Sequence, residues 1–341
     1  MNAHLLTALS LRSLRSRAII RLACLTLVIA AVAPPAFAQK PDPRGLVRLL
    51  AVNYSRPEKL QVWSNSSLSG VRLRPKWGEI QPNATSTNWN KIDTVLTLAH
   101  EHGKFVGLSV AAGVYTPSWV YGSGATKYNL QDGSGESMPL PWDSAFQHEW
   151  LAFIRDMGAR YDGHPSLRYV VISGLGQIVE TYLAQNATDS SRLTNLGGPS
   201  AWISAAKTII SAYANAFPTT PFIITAAKPF PTTEGVAALE HVIDWGVATY
   251  PGRFGIMNCT LNAQSNTGYY PNEAIYSYRG SEPVGFQTIC SYDRDPRRMQ
   301  GTLQQAINAG LGLGAKYIEI YQRDADDSAN QQMLAYEASL F

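Results

Sequence analysis

From residue 46 onward, short β-rich runs alternate with longer segments whose apolar residues recur at helical spacing. The runs are 46–52, 70–74, 105–110, 169–173, 222–226, 254–257, 284–289 and 317–321. Each is short, rich in Val, Ile, Phe or Tyr, and bounded by turn residues, as strands are. Between them, 90–102 carries Ile92, Val95, Leu96 and Ala99 on one stripe and stops at Gly103, and 145–161 places Phe146, Trp150, Phe153, Ile154 and Met157 together. Further helices are predicted over 199–216 after a Gly-Gly pair, over 233–245 after a Pro-Thr-Thr start, and over 296–309, where Pro296 suits a first helical turn. A last helix near 327–339 is expected to pack on the first strand and close a ring. Eight strand–helix units predict an α/β fold, a single (β/α)8 TIM barrel. An open doubly wound sheet also alternates strands with helices. It expects Gly-x-Gly-x-x-Gly after the first strand, and Gly174-Leu175-Gly176 lacks the third glycine and the downstream ribose acid.

The first 38 residues stand apart from this order. Arg12, Arg15, Arg17 and Arg21 precede an apolar run of 12 residues from Leu22 to Ala33, and Ala36-Phe37-Ala38 gives a small-x-small cleavage signal. This predicts a secretory signal peptide over 1–38, a barrel domain over 39–341, and a secreted or periplasmic location. A membrane span needs ~20 apolar residues, so no membrane attachment is expected after cleavage. The chain has 28 Lys and Arg against 25 Asp and Glu, and the four arginines of the leader account for the excess. Residues 39–341 are close to neutral, which argues against nucleic acid as a partner.

Cys259 and Cys290 remain after the leader, at the ends of predicted neighbouring strands, so a disulfide and two separate thiols both stay open. No Cys-x-x-Cys or paired-His spacing suggests zinc, no nucleotide fingerprint suggests a dinucleotide, and Gly-x-Ser-x-Gly is absent. Neither a metal nor another cofactor is expected.

The candidate chemistry lies on strands two, four and eight. In Tyr317-Ile318-Glu319-Ile320-Tyr321, the isoleucines share one face and Glu319 shares the other with two tyrosines, so Glu319 points into the barrel, where a carboxylate needs a partner or a function. Arg72 and Arg74 likewise face inward, opposite Val71 and Leu73. An Arg–Glu pair that only balances charge is one reading of these residues. A second carboxylate, Glu180, follows strand four after Gly174 and Gly176, a turn able to fold it back over the barrel mouth. A helix's first turn, where the dipole favours an acid, explains Glu180 equally well. The loops after strands three and six are rich in Tyr and Trp, rings that pack barrel rims or stack on sugar faces.

Gly70-Val71-Arg72, Trp77, Ile80 and Pro82, with Trp89-x-Lys91-Ile92-Asp93 and Ala112-Gly113-x-Tyr115-Thr116-Pro117-Ser118-Trp119, resemble the clan A glycoside hydrolases, (β/α)8 retaining glycosidases. The resemblance implies a carbohydrate substrate and a contact from Arg72 to the nucleophilic carboxylate. It departs at the family's two catalytic glutamates: Ser173-Gly174 stands at the end of strand four and Gln287 near the end of strand seven. Glycoside hydrolysis generally uses two carboxyl groups flanking the scissile bond. The candidates here are Glu180 as acid/base and Glu319 as nucleophile or water-activating base. Arg72, Trp77, Tyr115, Trp119, Trp142, Lys228, Tyr270, Gln287 and Tyr321 are the candidate substrate contacts. Two functions follow: an exported glycosidase acting on a poly- or oligosaccharide, and a non-catalytic carbohydrate-binding barrel that has lost the usual carboxylates.

Overall fold

The computed structural model describes residues 38–50 and 54–341. The expected leader, apart from Ala38, and the end of the first predicted strand lie outside the described residues. Eight parallel strands form a closed barrel: β1 (Gly45–Leu49), β2 (Leu68–Leu73), β3 (Phe105–Leu108), β4 (Leu167–Val171), β5 (Phe222–Thr225), β6 (Phe254–Leu261), β7 (Val284–Thr288) and β8 (Tyr317–Tyr321). β1 closes the ring on β8, with Val47 opposite Glu319. The chain is a single (β/α)8 TIM barrel, and each strand falls within or across a run that the hydrophobic pattern predicts.

The alternation on each strand divides the core into two shells. Val71 and Leu73 of β2, with Ile318 and Ile320 of β8, belong to the outer shell between sheet and helices. Val47, Phe105, Tyr169, Val171, Ile223, Met257 and Tyr317 fill the inner shell. Tyr169 and Tyr317 meet at 5.0 Å between ring centroids, and Phe105 stands edge-on to Tyr169 at 6.3 Å. Barrel interiors usually fill with branched aliphatics. Three rings fit here because glycines face them: a Cβ on Gly107 would collide with the Tyr169 ring, and one on Gly285 with the Tyr317 ring.

The helices follow the predicted stripes, with two differences. Ser144–Tyr161 begins where the Asp143 carboxylate accepts from Phe146 N, and Thr233–Thr249 where the Thr232 hydroxyl accepts from Gly235 N. The segment expected as one helix over 296–309 is two, Pro296–Met299 and Leu303–Gly312. Gln300 (φ 54°) and Gly301 (φ 157°) interrupt it, and Thr302 with Gln305 forms a new capping box, a start signal that overrides continuation. The terminal helix Gln331–Ala338 packs against Leu303–Gly312 rather than on β1. Gln322–Asp326 lies against β1 instead, and Asp326 there holds the buried Arg48 through two oxygens at 2.7 and 2.5 Å. A hairpin of Lys127–Asn129 and Ser137–Pro139, and a helix Ala187–Asn195, build up the loops after β3 and β4. Asp189 ties them together, accepting from Tyr128 Oη and Gln131 N. Among the described residues no helix is long and apolar enough to cross a membrane.

Candidate active site

The inward faces of β2, β4 and β8 meet at one carboxylate. Arg72 Nη1 lies 2.6 Å from Glu319 Oε1, and Tyr169 Oη donates to the same oxygen at 2.6 Å. Arg72 Nε donates to Ser109 Oγ at 3.1 Å. The side chains of Arg72 and Glu319 are 1 % and 0 % exposed. Burial disfavours the charged guanidinium, but Glu319 together with Tyr169, Cys259 and Tyr317 outweighs it and holds the Arg72 pKa above its ordinary value. Burial, reinforced by the Glu319 charge, keeps Tyr169 and Tyr317 protonated well beyond the usual phenol range. That Tyr169 of β4 reaches Glu319 of β8 also shows that these strands face each other across the barrel.

This group differs from the expected cleft carboxylate: Glu319 is sealed, and its Oε1 is taken by two donors. Its Oε2 and the Tyr317 hydroxyl have no hydrogen-bond partner among the described residues. A buried polar atom left unpaired costs about 1–3 kcal/mol, so the interior carries more polar burden than packing needs. Gln287 of β7 stands in register with Glu319 and is almost fully buried.

One layer higher, the mouth is built by the turn after β4. Gly174 adopts φ +88° beneath Trp150, whose Nε1 donates to Ser173 O, and Gly176 lies where a Cβ would strike the backbone of Glu180. The turn therefore folds back, Gln177 N bonding Tyr182 O at 2.9 Å. Glu180 forms a parallel bridge with Thr225 at the C-terminal end of β5, and Thr181 fastens it through Thr225 O and Ala227. Glu180 is thus an extension of the sheet rather than the first turn of a helix. Half-buried, it acts on its surroundings by charge: after burial it is the leading cause raising the Tyr182 hydroxyl to about 12 and the Cys259 thiol well above its ordinary value, and it also raises Tyr321. Cys259 and Cys290 are both free thiols.

The other expected contacts separate into two groups. Tyr115 sits in the turn after β3, with Lys76 Nζ 4.5 Å above its ring and close enough to Tyr182 to influence its hydroxyl. Tyr321 is half-buried at the rim, and Lys228 is exposed just after β5, beside the anchor of Glu180. These residues surround the mouth. Trp77 is fully buried, packed on Trp150 at 4.8 Å and Trp119 at 5.9 Å, and so is a core residue rather than a substrate contact. Trp119 and Trp142 spend their indole N–H groups on Gln81 O and Leu196 O, pinning loops. Tyr270 is turned away, its hydroxyl raised first by burial and then by Glu240 and Asp244 of the helix after β5.

A cleft of about 620 Å³ opens at the C-terminal ends of β1, β7 and β8, lined by Arg74, Arg294, Arg298, Arg323, Asp295 and Tyr321 among others. Sequence reasoning missed it. The available signal was the charged run Asp293-Arg294-Asp295-Pro296-Arg297-Arg298, read only as a helix start.

No family model matches the sequence, and no curated protein matches it. Solved structures do resemble it. The catalytic domain of a β-amylase from Paenibacillus polymyxa superposes with a TM-score of 0.58 at 10 % identity, over 88 % of this chain and 100 % of that one. A β-galactosidase from the psychrophilic Marinomonas ef1 gives 0.54 at 10 % identity over 86 % of this chain, and one from the Antarctic haloarchaeon Halorubrum lacusprofundi gives 0.53 at 12 % over 86 %. This chain spans 59 % and 57 % of those two β-galactosidases. At such identities the likeness is one of fold alone, a (β/α)8 barrel.

Proposed function

We propose that this protein is an exported glycoside hydrolase that cleaves O-glycosidic bonds of an oligo- or polysaccharide at the C-terminal mouth of the barrel. The observation that carries the reading is Glu180, a half-buried carboxyl group at the end of β5, above a second carboxylate held by Arg72. Reacting groups of such barrels stand at the C-terminal strand ends. Glu180 serves as general acid, protonating the leaving oxygen. Glu319 is the second carboxylate. Arg72 and Tyr169 hold its Oε1, and Oε2 is the oxygen free of both. Movement of Tyr321, the next inward residue of β8, gives Oε2 access to a water or to the anomeric carbon. Because β4 and β8 face each other, the arrangement favours the wider carboxylate spacing, and water-mediated inversion over a covalent intermediate.

Activity on arrayed polysaccharides, native protein against Glu180→Gln, tests the proposal. Hydrolysis of at least one glycan by the native protein and its loss in the variant is the expected result. Equal turnover by both removes Glu180 from the reaction. The sealing of Glu319 specifically favours a second reading, a carbohydrate-binding barrel without turnover. It predicts saturable glycan binding with no release of reducing ends.

A further inference from the structure

The cleft at the ends of β1, β7 and β8 has more arginines than carboxylates around it, in a domain that is otherwise close to neutral. Four arginines line it against a single carboxylate, Asp295, one of whose oxygens accepts from Arg298 N to cap the helix Pro296–Met299. The Arg323 guanidinium bonds Asp293 at the rim. Beneath, Asp324 accepts from Tyr292 N and Ser291 Oγ, which ties the loop after β7 to the segment after β8. The other three arginines form no ion pair among the described residues. Arg74 is half-buried, and among the described residues its Nε has no partner and its one bond is a long 3.4 Å contact from Nη2 to Leu50 O. Arg294 and Arg298 project from exposed backbone into the same space.

Holding four guanidinium groups against fewer carboxylates is unfavourable, and an oxyanion relieves it. The planar fork of arginine matches carboxylate, sulfate and phosphate oxygens two at a time. Neutral sugar hydroxyls, which need acceptors as well as donors, are poorly served by a wall of arginines. The location is suitable, since loops after the seventh and eighth strands of such barrels frequently bind oxyanions. It also adjoins the mouth, because Tyr321 lines the cleft and lies within electrostatic reach of both Glu180 and Arg74.

We infer that this cleft is a subsite for an anionic substituent of the glycan, so that the substrate is an acidic saccharide rather than a neutral one. The inference rests on the mouth being a carbohydrate site. An oxyanion-bearing residue seats on Arg74, Arg294 and Arg298, and the adjoining linkage then lies toward Tyr321 and Glu180.

Calorimetric titration of the intact protein with oligogalacturonate, a sulfated galacto-oligosaccharide, glucose 6-phosphate and an unsubstituted galacto-oligosaccharide tests it. The acidic ligands should bind at least about tenfold more tightly than the neutral one at low salt, with the advantage shrinking as salt screens the charges. The tightest of the three identifies the oxyanion. The double variant R294Q/R298Q, altered only at exposed positions, should lose that advantage at an unchanged melting temperature, and Arg74→Lys should lose part of it. Neutral and acidic ligands binding alike, or an advantage that survives R294Q/R298Q, overturns the inference. Hydrolysis of a neutral glycan without acidic preference sinks the subsite and leaves the hydrolase. Acidic preference without hydrolysis of any glycan keeps the subsite and sinks the hydrolase.

Discussion

Arg72 of β2 and Arg74, the residue just past its end, stand two positions apart on the same inward side, yet they occupy opposite electrostatic situations. Arg72 lies in the closed ring layer, where it meets Glu319, Tyr169 and Ser109 and no solvent. Arg74 lies one step toward the mouth, half-buried, its Nε without a partner among the described residues and a cleft before it. One rung of a barrel strand, about 6.6 Å for two residues, separates a charge that the fold must neutralise internally from one that a ligand can reach. Depth along the strand, not residue type, assigns the role. The same holds for the carboxylates: Glu319 belongs to the lower layer and Glu180 to the upper.

Four measurements test this contrast. The largest effect is expected at the mouth. Glu180→Gln should lower hydrolysis about 10²- to 10⁴-fold, the usual worth of a general acid, while urea denaturation shows native stability. A loss of stability as large as the loss of rate would make Glu180 a structural residue rather than a general acid.

In the interior the order reverses, and stability should suffer first. Glu319→Gln strands the buried Arg72 charge, which costs about 3–5 kcal/mol. The apolar pair R72M/E319L should recover much of that in the same denaturation experiment, though not activity. If the single variant is as stable as the native protein, water reaches this layer and the sealed description fails. Next in size, Tyr169→Phe removes one hydrogen bond to an ionised acceptor and should cost about 1.5–3 kcal/mol. A smaller change would mean that Arg72 alone suffices to hold Glu319.

The smallest effect belongs to an exposed pair that serves as the outside reference. Asp93 is partly buried, which alone would raise its pKa, but hydrogen bonds from Arg160 and Tyr161 outweigh burial and hold it below the usual carboxylate value. A depressed pKa contributes stability above the unfolded-state value, and that contribution is lost as pH falls through the lower folded-state value. Asp93→Asn should therefore cost ~0.2–1 kcal/mol at neutral pH, the worth of a solvent-screened pair. The difference from the native protein should vanish in acid. Melting curves from neutral pH down into the acid range would show whether it does.

Much of this architecture was legible before any coordinates. Strand alternation predicted eight barrel strands, and Ile318 and Ile320 against Glu319 told which side of β8 faces inward, because period-two alternation is a local property of the backbone. The Gly174 and Gly176 turn likewise marked where Glu180 would fold back. What alternation cannot convey is depth. Glu319 and Tyr321 share a face, yet one is sealed and the other lines a cleft, because ring closure and the stagger of neighbouring strands set the layer each residue joins. Tyr169, the residue that seals Glu319, lies 150 positions away in sequence and has room only because Gly107 lacks a side chain.

Aromatic residues misled for a related reason. Trp77, Trp119 and Trp142 are as able to stack on a sugar as to pack a loop, and composition does not distinguish the two. The neighbours decided it for Trp77, buried on Trp150, whereas Trp119 and Trp142 bond backbone carbonyls through their N–H groups and stay half-exposed. The arginine cleft shows the same limit from the other side. Arg294, Arg298 and Arg323 follow the last two strands while Arg74 lies near the start of the domain, and closure of β8 onto β1 brings them to one wall. Local pattern was enough to specify the barrel, its inward faces and the carboxylates available to it. Which of those charges are sealed together, and which are left open to a ligand, was settled by the closed fold, because burial and Coulomb partners depend on distance in space rather than on order along the chain.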